Sequence, residues 1–146
     1  MKKGMKCFVA TLVACLFVFG QLALSQEKEE AHLFVVVTWR AVMPDDGSYA
    51  ERDSLLQLYV ETQKSNEKII SVKHLGHYYG DDSHDYVVIT EYASWNDIEK
   101  AGEIAKELTE KRWPEKEVRH AFFKQLSKYF EGHSDEIFTE FPKFRK

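Results

Sequence analysis

Leu33-Phe34-Val35-Val36-Val37-Thr38-Trp39 is the stretch on which the fold turns. Its odd positions are Leu33, Val35, Val37 and Trp39 and its even positions Phe34, Val36 and Thr38, so an extended chain here is greasy on both sides. Alternate residues of a strand point to opposite faces, and a β-branched, aromatic run that is apolar on both parities marks a strand buried on two sides. The cluster Met43-Pro44-Asp45-Asp46-Gly47-Ser48 stops it, because proline, glycine and acid side chains all favour a turn.

Beyond that turn, Leu55, Leu56, Tyr59 and Val60 recur at helical spacing among charges, which predicts an amphipathic helix over residues 49–66. Residues 69–79 and 86–93 read as two strands of a hairpin, joined by Gly80-Asp81-Asp82-Ser83-His84-Asp85. Ser94 with Asp97 three residues on has the form of a helix start: the hydroxyl accepts from an orphan amide and the carboxylate favours the positive helix end. Its stripe is Ile98, Ala101, Ile104, Ala105 and Leu108, and it ends at Trp113-Pro114. A further helix over residues 115–130 carries Val118, Phe122, Leu126 and Tyr129, with Gly132 placed to stop it in a left-handed conformation. Residues 136–141 give a last strand ended by Pro142.

The order β-α-β-β-α-α-β is the α+β, ferredoxin-like plan with one extra helix: a four-stranded antiparallel sheet with helices on one face. The other face should be polar in a lone molecule. Here it is not, since the first strand and Val87, Ile89, Val88 and Tyr92 of the third are apolar or aromatic on both parities. A second copy is the economical cover, giving a homodimer whose two sheets close into an α/β barrel through an apolar interface of about 2,000 Å² or more.

Of the 146 residues, 44% are hydrophobic and 30% charged, with three prolines, which excludes collagenous, low-complexity and disordered classes. Residues 1–25 have a basic start, an apolar run over residues 8–19 and the small-residue exit Ala23-Leu24-Ser25. This is the form of a secretory signal peptide cleaved after Ser25, leaving residues 26–146 as a single domain that is exported to a periplasmic or extracellular location. The apolar core falls short of the roughly 20 residues of a membrane-spanning helix. An uncleaved anchor is one alternative; a lipid on Cys15, after Leu12-Val13-Ala14, is the other. Loss of Lys2, Lys3 and Lys6 takes the formal charge from −4 to −7, which argues against nucleic acid or an anionic membrane surface as partner. Cys7 and Cys15 both lie in the leader, so the processed chain has no disulfide, thiolate metal site or cysteine nucleophile.

Pairing Tyr79 with Tyr86 across the hairpin would set His74 opposite Glu91. A carboxylate beside an imidazole raises its basicity and fixes its tautomer, so this pair is the candidate catalytic base. Trp39, Tyr86 and Tyr92, with Tyr78 and Tyr79, are the aromatic groups of a candidate pocket for a flat or apolar small molecule, with Arg40 to meet an anion. His77 and His120 complete the candidate ligand-binding set. His74 and His77, three apart on one strand, point to opposite faces, so no metal site is expected. His84 among Asp81, Asp82 and Asp85 lacks the spacing of a calcium loop. No phosphate-cradling glycine loop, GxSxG elbow or HExxH helix is present.

The element order, together with Asp85-Tyr86-Val87-Val88-Ile89-Thr90-Glu91-Tyr92-Ala93-Ser94-Trp95-Asn96-Asp97, a strand with an acidic-aromatic end passing into a capped helix, resembles the dimeric α/β barrel superfamily. That superfamily includes antibiotic-biosynthesis monooxygenases, haem-degrading enzymes and stress-related barrels. The resemblance implies a cavity in or beside the barrel but selects no single chemistry. The leading expectation is a cofactor-free protein binding a small apolar or aromatic ligand. A cofactor-independent monooxygenase working through His74 is the enzyme alternative, and haem binding or breakdown through His74, His77 or His120 is the third.

Overall fold

The computed structural model describes residues 30–80 and 84–144. The expected leader and the loop residues Asp81, Asp82 and Ser83 lie outside them. The elements are β1 (Leu33–Ala41), α1 (Tyr49–Gln63), β2 (Ser71–Gly76), β3 (Asp85–Tyr92), α2 (Trp95–Arg112), α3 (Lys116–Ser127), β4 (Phe130–Thr139) and a single 3-10 turn, Pro142–Phe144. The sheet order is β2-β3-β1-β4 with every pairing antiparallel. This is the expected ferredoxin-like α+β plan with its extra helix.

Serine hydroxyls start two of the three described helices, the one at Ser94 as the sequence predicts, whereas α3 begins at Glu115 without a side-chain cap. Ser48 caps α1, its hydroxyl accepting from the Glu51 amide at 3.1 Å. Ser94 caps α2 in the same way toward Asp97 at 3.2 Å, and its own hydroxyl donates to the Asp97 carboxylate at 2.6 Å. The helices pack on one face of the sheet. Trp113, buried between α2 and α3, stacks on Phe122 at 4.2 Å. Asn66, also buried, donates to the Ala101 carbonyl at 2.9 Å and so ties the chain after α1 to α2.

Tyr129 is the most deeply buried large side chain, at 0% exposure. Its hydroxyl donates to Glu51 at 2.5 Å and accepts from the Ser48 amide at 3.2 Å, while Gln125 donates to the other Glu51 oxygen at 2.6 Å. These bonds hold the Glu51 carboxyl below the usual carboxylate range. The turn after β1 thus closes over the end of α3. Gly47 is there because a Cβ would meet Pro44 Cγ at 2.6 Å and the Tyr129 ring at 2.9 Å.

α1 ends at Gln63 instead of 66 and β4 covers Phe130–Thr139 instead of 136–141, and three features differ further from the sequence reading. α3 ends at Ser127, and Phe130 opens β4 instead of closing the helix. Tyr129 and Phe130 continue the apolar spacing of α3 only because one plugs the core and the other faces the cavity described below. Gly132 does adopt a left-handed φ of +76°, but within β4. Trp39 pairs with His133 and Ala41 with Phe130, so one extra residue is fitted opposite Arg40: the glycine makes a β-bulge, not a helix stop. Third, β2 ends at Gly76 and pairs Ser71 with Glu91 and His74 with Val88, a register three residues away from the expected one. Tyr78 and Tyr79 therefore stand in the connecting loop, 99% and 94% exposed.

Among the described residues no helix covers the second face. Phe34, Val36 and Thr38 of β1 lie there beside Glu91, Ile89 and Val87 of β3, and Leu75 and Phe138 flank them on the edge strands. The four central aliphatic and aromatic side chains, Phe34, Val36, Val87 and Ile89, are only half-buried. Among the described residues no helix is long and apolar enough to cross a membrane.

Candidate functional site

Between the helices and the sheet lies a cavity of about 500 Å³. Its floor is Val37 and Trp39 of β1 with Tyr86 and Val88 of β3; its roof is Leu56, Tyr59 and Val60 of α1 with Phe123 and Leu126 of α3; Phe130 of β4 joins the apolar lining. His74, Ser127 and Asp135 supply the polar groups of the lining. Strand alternation explains the floor, since odd residues of β1 and even residues of β3 share the helix-covered face.

His74 reaches the cavity from the edge strand β2. Its Nδ1 lies 2.8 Å from the Tyr86 hydroxyl and the two rings stack at 6.0 Å. Burial lowers the pKa of His74 and raises that of Tyr86, so at neutral pH the pair is an uncharged imidazole beside a protonated phenol. With Nδ1 protonated and donating to the phenol oxygen, Nε2 is a free base; with the phenol donating to Nδ1, Nε2–H is a donor. Trp39 lines the cavity beside β4. It sits edge-on to Phe130 at 5.7 Å and against His133 at 4.2 Å, and His133 is paired with Asp135 at 3.1 Å.

The structure therefore brings Trp39, His74 and Tyr86 together and disperses the rest of the expected set. Glu91 is not the partner of His74. It lies on the opposite, uncovered face, where the Ser71 hydroxyl donates to it at 2.5 Å and His32 Nδ1 at 2.6 Å; these bonds, Ser71's first, lower its carboxyl pKa. The correction follows from the three-residue register difference, which also changes parity and hence face. Arg40 is on that same far side of β1 from Trp39, mostly exposed and 4.0 Å from Glu131, so it cannot serve the cavity. Tyr92 is half-buried further along β3, outside the cavity wall, and its burial raises its phenol pKa. His77 stands in the exposed loop after β2.

His120 belongs elsewhere again, to an outer groove of about 470 Å³ between α2 and α3. Tyr59 and Phe123, in edge-to-face contact at 6.0 Å, line both this groove and the inner cavity. The three histidines named for haem thus occupy three separate places, and no two of them face one slot. Among the described residues no three His, Cys, Asp or Glu side chains cluster as a metal site.

The sequence reading missed the roof as a functional surface. Leu56, Tyr59, Val60 and Leu126 were visible as helical stripes, but periodicity says only that a stripe is covered, not that a gap remains beneath it. His32 was equally hidden, because its partner Glu91 is 59 residues away.

No family model matches the chain and no curated protein matches it. Solved structures do. A protein of unknown function of the NIPSNAP family from Agrobacterium tumefaciens aligns over 77% of this chain and 90% of its own, at 15% identity and a TM-score of 0.56. A dimeric ferredoxin-like protein of unknown function from Thermobifida fusca aligns over 80% of this chain and 97% of its own, at 5% identity and a TM-score of 0.51. SnoaB from Streptomyces nogalater, a cofactor-independent oxygenase, aligns over 75% of this chain and 93% of its own at 13% identity, with a TM-score of 0.47, too low to bear on chemistry. At these identities the likenesses speak to architecture alone, and they show that the chain has the ferredoxin-like α+β fold.

Proposed function

We propose that the protein is an exported homodimeric binding module, which holds a small, largely apolar or aromatic ligand between sheet and helices and needs no cofactor to do so. The observation that carries this reading is the inner cavity: about 500 Å³ walled by aliphatic and aromatic side chains, with His74, Tyr86 and Asp135 placed to orient a guest. Such a ratio of apolar wall to a few convergent polar groups is that of a small-molecule site. Pairing is supported by the uncovered apolar face of β1 and β3, since exposing this much contiguous apolar surface is costly.

The test is fluorescence titration with N-phenyl-1-naphthylamine, a neutral aromatic probe, on the wild-type chain and on Val37→Phe, which puts a ring into the floor. Saturable binding of one probe per chain that Val37→Phe abolishes supports the cavity as the site. Binding that survives the substitution unchanged contradicts it.

A second reading, an enzyme that removes a proton from a bound substrate, is favoured by one feature: His74, its pKa lowered by partial burial, is hydrogen-bonded to Tyr86 at the cavity wall. The imidazole would take the proton at Nε2 in the tautomer whose Nδ1–H donates to the Tyr86 hydroxyl. On this reading His74→Ala abolishes turnover and leaves N-phenyl-1-naphthylamine affinity intact; unchanged turnover removes His74 from the chemistry.

A further inference from the structure

The groove between α2 and α3 is charged where the inner cavity is greasy. Residues 106, 109 and 110 of α2 and 116, 119, 120 and 123 of α3 recur at three- and four-residue steps, so each helix turns one continuous face to the groove. Lys106, Lys116 and Arg119 meet there with a single carboxylate, Glu110. This is a local cationic excess on a chain whose formal charge is −4. Arg119 is anchored, its Nη1 donating to the Trp113 carbonyl at 2.6 Å and to the Pro114 carbonyl at 3.4 Å, which leaves Nε and Nη2 as donors for a guest. Lys106 and Lys116 have no ion-pair partner among the described residues.

The groove shares two walls with the inner cavity. Tyr59 and Phe123 belong to both, so the same pair of rings borders each space. A ligand lying past these rings has its body among apolar groups and its end among cations.

We propose that the chain binds an anionic amphiphile: a small apolar or aromatic body carrying one carboxylate, sulfonate or similar head, with the head held by Lys106, Lys116 and Arg119 and the body lying against Tyr59 and Phe123 into the inner cavity. The occupant follows from charge complementarity. A neutral ligand would leave the cations unused, and a polyanion without an apolar body would leave the aromatic walls unused. The proposal rests on the reading of the inner cavity as the ligand site and adds the class of ligand.

The experiment compares two probes that differ only in a sulfonate, 8-anilinonaphthalene-1-sulfonate and N-phenyl-1-naphthylamine, titrated against the wild-type chain, the Lys106→Glu/Lys116→Glu variant and a Lys64→Glu/Lys100→Glu control with the same change in net charge outside the groove. The expected result is that the sulfonate binds more tightly than the amine. The groove variant should weaken it roughly tenfold while the amine stays within about twofold and the control changes neither. If the amine binds but the sulfonate gains nothing, or if both double variants weaken the sulfonate alike, the head site is overturned and the inner cavity stands. If neither probe binds the wild-type chain, both readings fall together.

Discussion

His32 Nδ1 stands 2.6 Å from Glu91 Oε1 on the face of the sheet that no helix covers, and Ser71 donates to the other carboxylate oxygen. Because a carboxylate only accepts, the bond fixes a proton on Nδ1 of His32. The three groups come from the lead-in to β1, the start of β2 and the end of β3, so the cluster pins one end of three chain segments.

Replacing Glu91 by Ala leaves two half-buried donors without their acceptor, and the expected cost is about 1–3 kcal/mol in urea unfolding. The pH dependence has a definite sign. The folded-state pKa of Glu91 lies below its ordinary value of 4.5, so its contribution is present above that value and is lost as pH falls through the folded one. Glu51 and Asp97 act in the same direction. The Glu91→Gln variant should show a flatter acid limb than wild type; an identical limb would contradict the assignment.

Gly47→Ala should destabilise the chain by about 1–3 kcal/mol, because the added methyl overlaps the buried Tyr129 ring and Pro44. Tyr129→Phe, which keeps the packing and removes the bonds to Glu51 and Ser48, is expected to cost about 1–2 kcal/mol. Thermal midpoints of the two variants indistinguishable from wild type would show that the turn is free to move aside.

On the uncovered face, Val36→Arg places a charge at the centre of the apolar patch. Light scattering of the processed chain at micromolar concentration should give the mass of two copies, and this variant that of one. A wild-type protein that scatters as a single copy would remove the pairing.

Export predicts a mature amino terminus at Gln26. Intact mass and terminal sequencing of protein recovered from the periplasm or medium check this directly; a product retaining residues 1–25, or one beginning at a lipidated Cys15, would replace cleavage by an anchor.

The fold was legible because its signals are local. The two-sided apolarity of residues 33–39, the turn cluster of residues 43–48, the serine cap at Ser94 and the Trp113-Pro114 stop each act within a few residues, and together they dictate element order. The site was legible only where it coincides with strand parity, as for Trp39 and Tyr86. The His74–Glu91 pair failed because register is set by loop length and cross-strand packing, and the hairpin loop took in Tyr78 and Tyr79, whose aromatic character had marked them as strand. Gly132 shows a subtler ambiguity, since a left-handed glycine after an apolar stripe serves a helix end and a bulge equally well. Arg40 shares the Thr38 parity of β1, as the sequence has it, and that parity is the face away from the inner cavity, which alternation alone could not decide.

The bulge at Gly132 has a consequence for crowded solution. β4 is an outer strand, and its free rim of amides and carbonyls invites a stranger to zip alongside, with Ile137 and Phe138 about half exposed to welcome it. An extra residue at the start of that rim breaks its even spacing and twists the backbone out of line. A would-be neighbour can match only part of its length, so fibrous stacking along this border is discouraged.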